Sequence, residues 1–108
     1  MGKTTKPPQG ELSTCRLYVK DPSGRVLQES DLVEGVYSIG RSASNHVSIS
    51  DTHVSRKHAS LFVRHNKVEV LDENSTGGTF VDGVRITSQT LVKGNQRIQI
   101  GDYYLTVS

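Results

Sequence analysis

Arg41, Ser42, Ser55, Arg56 and Thr76, with the adjacent glycines Gly77 and Gly78, are the residues of this chain whose types suit chemistry. They fall in three turn-rich stretches: "IGRSASN" (39–45), "SDTHVSRKHAS" (50–60) and "ENSTGGTFVDG" (73–83). A guanidinium offers five N–H donors in a planar fork, small hydroxyls add short donors, and glycine leaves backbone amides bare. Such charge-assisted, geometrically fixed donors suit a phosphate dianion. A phosphorylated side chain carries about −1.5 to −2 charges and three acceptor oxygens at pH 7. Between Arg41 and His58, the cations Arg41, Arg56 and Lys57 stand against Asp51, a local charge of +2 that equals the whole chain's. Paired glycines also mark backbone that bends unusually or lies close to something. The residues read as an anion receptor built on loops.

Those loops need a scaffold. Short β-prone runs separated by turn residues every 8 to 12 positions predict an all-β sandwich or barrel. Thr14 to Lys20 alternates, with Cys15, Leu17 and Val19 facing one way. "DPSG" (21–24) fits a turn with Asp first, Pro second and Gly last. "VYSI" (36–39), "HVSI" (46–49), "ASLFV" (59–63) and "KVEVL" (67–71) follow, the last two joined at His65-Asn66. Asp82-Gly83 predicts a tight hairpin between "TFV" and "VRI", because both central residues of such a turn need positive φ. "RIQI" and "YYLTV" hinge at Gly101-Asp102. Loops as long as 50–60 in a compact domain usually carry function.

Length and composition bound the answer. The 108 residues suffice for one domain with a modest core. Residues 1–12, polar with Pro7-Pro8, are expected to be a flexible tail, and 13–108 the folded domain. A net charge of +2 is too mild for nucleic acid or a membrane surface as main partner, and no apolar run is long enough to insert into a bilayer. The lone Cys15 has no internal partner and reads as a core residue, consistent with a cytoplasmic or other reducing compartment.

"IGRSASNHVSISDTHVSRKHASL" followed by "STGGTFVDGVRI" resembles the forkhead-associated (FHA) domain family. The family pattern is Gly-Arg after a strand, Ser-x-x-His about fifteen residues later, and a Ser/Thr-Asn-Gly-Thr turn before an apolar strand and Asn/Asp-Gly. The match runs from Leu17 to Val107. The resemblance implies an eleven-stranded β-sandwich of two twisted, mostly antiparallel sheets that binds phosphothreonine peptides through loops at one end. It implies a non-catalytic signalling adaptor with no cofactor, no metal and a phosphothreonine-containing protein as partner, the isolated domain being monomeric. Arg41 would contact the phosphate or adjoining peptide backbone, and Ser55 and Thr76 would give hydroxyls to the phosphate. Ser42 is grouped with these donors, and Arg56 would add a further contact. Gly40, His58 and Gly78 are expected to hold the loops in shape. The departure is Gly77, where the family usually has Asn gripping the peptide main chain. Binding is therefore expected to be weakened, and a phosphorylation-independent assembly module on the same fold is the alternative.

Other chemistries fit less well. Ser55, His58 and Asp51 have the types of a nucleophilic triad, but eight residues of one loop do not readily adopt its geometry and no G-x-S-x-G elbow is present. Four histidines and one cysteine lack C-x-x-C or H-x-x-x-H spacing. His46, His53 and Lys57 read as solvated rim, and Thr4 and Thr5 either as part of an inert linker or as tail residues open to phosphorylation and binding in cis or between chains.

Overall fold

A computed structural model describes residues 15–108. The expected tail, with Thr4 and Thr5, lies outside the described residues. The strands are β1 (Cys15–Lys20), β2 (Val26–Leu32), β3 (Gly35–Gly40), β4 (Val47–Ser48), β5 (Ala59–Arg64) and β6 (Lys67–Asp72). They continue as β7 (Thr79–Val81), β8 (Val84–Arg85), β9 (Thr90–Val92), β10 (Arg97–Ile100) and β11 (Tyr103–Val107). One sheet runs β9-β6-β5-β3-β4 and the other β2-β1-β11-β10-β7-β8. Every pairing is antiparallel except β3 with β4, where Ile39 lies opposite Val47.

The eleven-stranded sandwich is the expected fold, and period-2 alternation builds it. Leu17, Val19, Ile98, Ile100, Leu105 and Val107 of one sheet face Ile39, Leu61, Val63, Val68 and Val70 of the other, all buried. Each such aliphatic side chain contributes about 1.5–3 kcal/mol by leaving water. Cys15 joins this cluster, and burial pushes its thiol pKa up, as suits an unreactive core residue.

The turns follow their chemistry. Gly24 N–H bonds the Asp21 carbonyl at 2.9 Å, while the Asp21 carboxylate takes the Ser23 and Arg25 N–H groups. His65 (φ 52°) with Asn66 (φ 65°), and Asp82 (φ 49°) with Gly83 (φ 82°), are the two-residue hairpins their sequences foretell. Strand β2 was not foreseen: it is an edge strand whose residues are mostly exposed, so it lacks apolar alternation. "HVSI" contributes only Val47 and Ser48 as strand. No helix among the described residues is long and apolar enough to cross a membrane.

Candidate functional site

Gly40 ends β3 where two loops meet. A Cβ there would lie 2.1 Å from the Arg56 carbonyl oxygen and 2.8 Å from Asn45 Nδ2, so only glycine lets the 53–58 loop seat against the strand. That contact is locked by hydrogen bonds. Arg41 N–H donates to the Ser55 carbonyl at 2.9 Å, and Asn45 Nδ2 donates to the Arg56 carbonyl at 2.7 Å. The lock positions Arg41, Ser55 and Arg56 together.

His58 ties this loop to the next. It is completely buried, and its backbone N–H bonds the Ile39 carbonyl at 2.8 Å. Nδ1 accepts the Ser55 N–H at 3.1 Å, which leaves the ring proton on Nε2, donated to the Gly78 carbonyl at 2.8 Å. Gly78 N–H in turn donates to Ser75 Oγ at 2.9 Å. Ser75 donates its hydroxyl and backbone N–H to Asp72, which also accepts Thr79 Oγ1–H at 2.7 Å. Partial burial pushes the Asp72 carboxyl pKa up, but the Ser75 and Thr79 hydroxyls and the Ser75 N–H outweigh it and hold the group below its ordinary value. Gly78 itself has φ +88°, and a Cβ there would crowd the Arg85 guanidinium at 2.9 Å. Gly40, His58 and Gly78 thus occupy positions that hold loops in shape.

The chain of bonds ends at the surface. Thr76 N–H donates to Ser55 Oγ at 3.1 Å, so the Ser55 hydroxyl proton is left for another acceptor. Among the described residues, neither the Thr76 hydroxyl nor the Arg41 and Arg56 guanidinium groups have a side-chain partner within the domain. Arg41, Ser55, Arg56, Thr76 and Gly77 line one open groove of about 820 Å³, completed by Thr52, His53, Val54, Gly101 and Asp102. Ser42 does not line it. Its side chain borders a neighbouring depression with Ser38, Ser44, Asn45, Arg56 and Lys57.

Gly77 differs from the expectation for paired glycines. Its φ is not in the left-handed region, and the nearest atom to a Cβ would be the His53 carbonyl oxygen at 3.8 Å. Neither bend nor crowding requires glycine there; only Gly78 is so constrained. Thr52 and Asp102 were missed as groove residues, because nothing local distinguishes them and only the packing of the Gly101 turn against His53 and Val54 brings them in. Asp72, Ser75 and Thr79 were likewise invisible, since their bonds close a local turn that no apolar periodicity marks.

The triad types do not form a triad. Both His58 nitrogens are spent on main chain, and Asp51 accepts the His53 N–H at 2.8 Å, the main cause that holds its carboxyl below its ordinary value against opposing desolvation. His53 Nδ1 also lies 3.2 Å from Asp51, and His46 Nδ1 accepts the Ser38 N–H at 3.0 Å. No group of three or more His, Cys, Asp or Glu among the described residues is arranged to hold a metal ion.

The chain belongs to the FHA domain family, whose sequence model matches residues 37–101. It is 35% identical over 86 residues to the ABC transporter ATP-binding/permease protein Rv1747 of Mycobacterium tuberculosis, covering 80% of this chain and 10% of that protein. It is 32% identical over 74 residues to the glycogen accumulation regulator GarA of the same organism, covering 68% of this chain and 45% of GarA. The chain therefore spans less than half the length of these curated relatives. Among solved structures, the FHA domain of CT664 from Chlamydia trachomatis superposes with TM-score 0.81 at 26% identity, covering 88% of this chain and 96% of that one. EmbR of Mycobacterium tuberculosis, solved in complex with a low affinity phosphopeptide, gives TM-score 0.78 at 26% identity over 92% of this chain and 25% of that one.

Proposed function

We propose that this domain is a non-catalytic recognition module that binds phosphothreonine-containing segments of a partner protein and recruits whatever it is joined to. The carrying observation is that Arg41, Ser55, Arg56, Thr76 and Gly77 border one open groove while their outward donors are free of internal partners. Arg41 supplies the charge-assisted fork, Ser55 and Thr76 supply hydroxyl donors, and Arg56 adds a second cation. The EmbR phosphopeptide complex and GarA's name as a regulator are in keeping with this role.

Gly77 tempers the affinity. Without an amide side chain the groove forgoes one or two hydrogen bonds of about 0.5–1.5 kcal/mol each, roughly a tenfold loss. The same absence favours a second reading, assembly with a partner irrespective of phosphate. A degenerate phosphothreonine peptide pool compared with its unphosphorylated twin separates the two. Preferential binding of the phosphorylated pool, weakening with added salt and below about pH 6 as the phosphate takes up a proton, is expected. Equal binding of both pools overturns the phosphothreonine reading and selects the second.

A further inference from the structure

We infer that the depression beside the groove is a second anion subsite, which takes a phosphorylated or carboxylate side chain on the same bound peptide. The inference rests on the phosphopeptide reading of the groove and extends it.

The depression, about 350 Å³, is lined by Ser38, Ser42, Ser44, Asn45, Arg56 and Lys57, two cations and no carboxylate. The groove, by contrast, includes Asp102 in its wall. The side chains of two lining residues are spent on structure, and a third residue is tied through its backbone. Asn45 Nδ2 donates to the carbonyls of both Ser42 (2.9 Å) and Arg56 (2.7 Å). Ser38 Oγ accepts the His46 N–H at 3.1 Å and lies 3.1 Å from His46 Nδ1. Ser44 gives its N–H to Ser42 Oγ at 3.3 Å.

What remains is a donor set. Ser42 Oγ and Ser44 Oγ are 2.9 Å apart, so one hydroxyl donates to the other and the acceptor's own proton is free. Among the described residues neither Arg56 nor Lys57 has an ion-pair partner. Arg56 borders both cavities, and a five-donor guanidinium can serve an acceptor on each side. Two cations and a free hydroxyl facing a carboxylate-free hollow match a second anion. They also account for Ser42, whose place is next to the groove rather than in it. Arg56 lines both cavities, so the two subsites adjoin within the reach of one arginine side chain. The second anion thus lies within about three residues of the phosphothreonine.

The test is a titration by fluorescence anisotropy of peptides with one fixed phosphothreonine. Ala, Asp, Lys or a second phosphorylated residue is scanned through three positions on either side. At one position Asp should tighten binding about two- to fivefold and phosphate about tenfold relative to Ala, with Lys weakening it. Lys57→Ala, which touches only the depression, should erase most of that gain while leaving the singly phosphorylated peptide's affinity unchanged. A gain for phosphate alone assigns the subsite to a second phosphorylated residue, and a gain for both admits acidic side chains. Phosphate-dependent binding indifferent to the second residue at every position, or a gain that survives in Lys57→Ala, overturns the subsite alone. Binding that ignores the first phosphate overturns the groove reading and the subsite with it.

Discussion

Two layers of the same end of the sandwich obey opposite rules. The inner layer (Gly40, His58, Asp72, Ser75, Gly78 and Thr79) is largely buried, and its polar groups form a continuous chain of hydrogen bonds. The outer layer (Arg41, Arg56 and Thr76, with the Ser55 hydroxyl) presents donors without partners in the domain. Buried polar groups must be satisfied internally or they cost the full desolvation penalty, whereas exposed donors are solvated by water until a ligand replaces it. The comparison teaches a division of labour: the inner layer spends its hydrogen bonds on shape, and the outer layer leaves its own open to the proposed ligand. Thr76 spans the boundary, its N–H held by Ser55 and its hydroxyl free.

The sharpest break falls on the inner layer. Gly40→Ala puts a methyl 2.1 Å from the Arg56 carbonyl, so the loop must move. We expect a loss of about 3 kcal/mol, a melting point lower by about 15 °C, and loss of binding as a consequence. A variant that melts like the parent by calorimetry would show that the close approach does not hold the loop.

Arg41→Ala should do the reverse. Phosphopeptide affinity should fall about ten- to a hundredfold, the worth of a charge-assisted contact, while stability changes by no more than about 0.5 kcal/mol. Calorimetric binding and melting on one sample check both halves. Unaltered affinity would remove Arg41 from the site, and a large melting shift would move it into the inner layer.

Gly77→Asn sharpens the contrast between adjacent glycines. Position 77 has space and an ordinary φ, so an amide there should fold without strain and tighten binding by up to about tenfold. Gly78 offers neither, because its φ is +88° and a Cβ there would lie 2.9 Å from Arg85 Nε. A folded Gly77→Asn variant that binds no better would show that the missing side chain is not what limits affinity.

The smallest effect is an acid one. Asp72 titrates below its ordinary value when folded, so its contribution is present above about pH 4 and is lost as pH falls through the lowered folded value. The stability gap between parent and Asp72→Asn should therefore narrow in thermal melts as pH falls below about 4. A constant gap would mean that the carboxylate's charge is not what Ser75 and Thr79 stabilise.

What was legible in sequence follows the same boundary. Arg41, Ser55 and Thr76 stand out because a guanidinium and small hydroxyls recur across three turn-rich loops in the order and spacing of the family motifs. Asp82-Gly83 and His65-Asn66 announce themselves because positive φ restricts residue choice. The partnership of Asp72 with Ser75 and Thr79 could not be read, since no periodicity encodes a side chain bonding across a turn. Ser42 was expected with the phosphate donors, yet its side chain borders the hollow beside the groove that Arg41 lines. Strand β2 escaped because, at an edge and mostly exposed, it has no buried face to impose a pattern.

A titration of isotopically labelled domain with a phosphothreonine peptide, followed by backbone amide NMR, tests the division most directly. The account predicts shifts concentrated at Arg41, Ser55, Thr76 and Gly77, with the sheet face where Val36, Phe62 and Glu69 stand side by side on β3, β5 and β6 unmoved and the unphosphorylated peptide nearly silent. Shifts centred on that sheet face, or equal responses to both peptides, would contradict it.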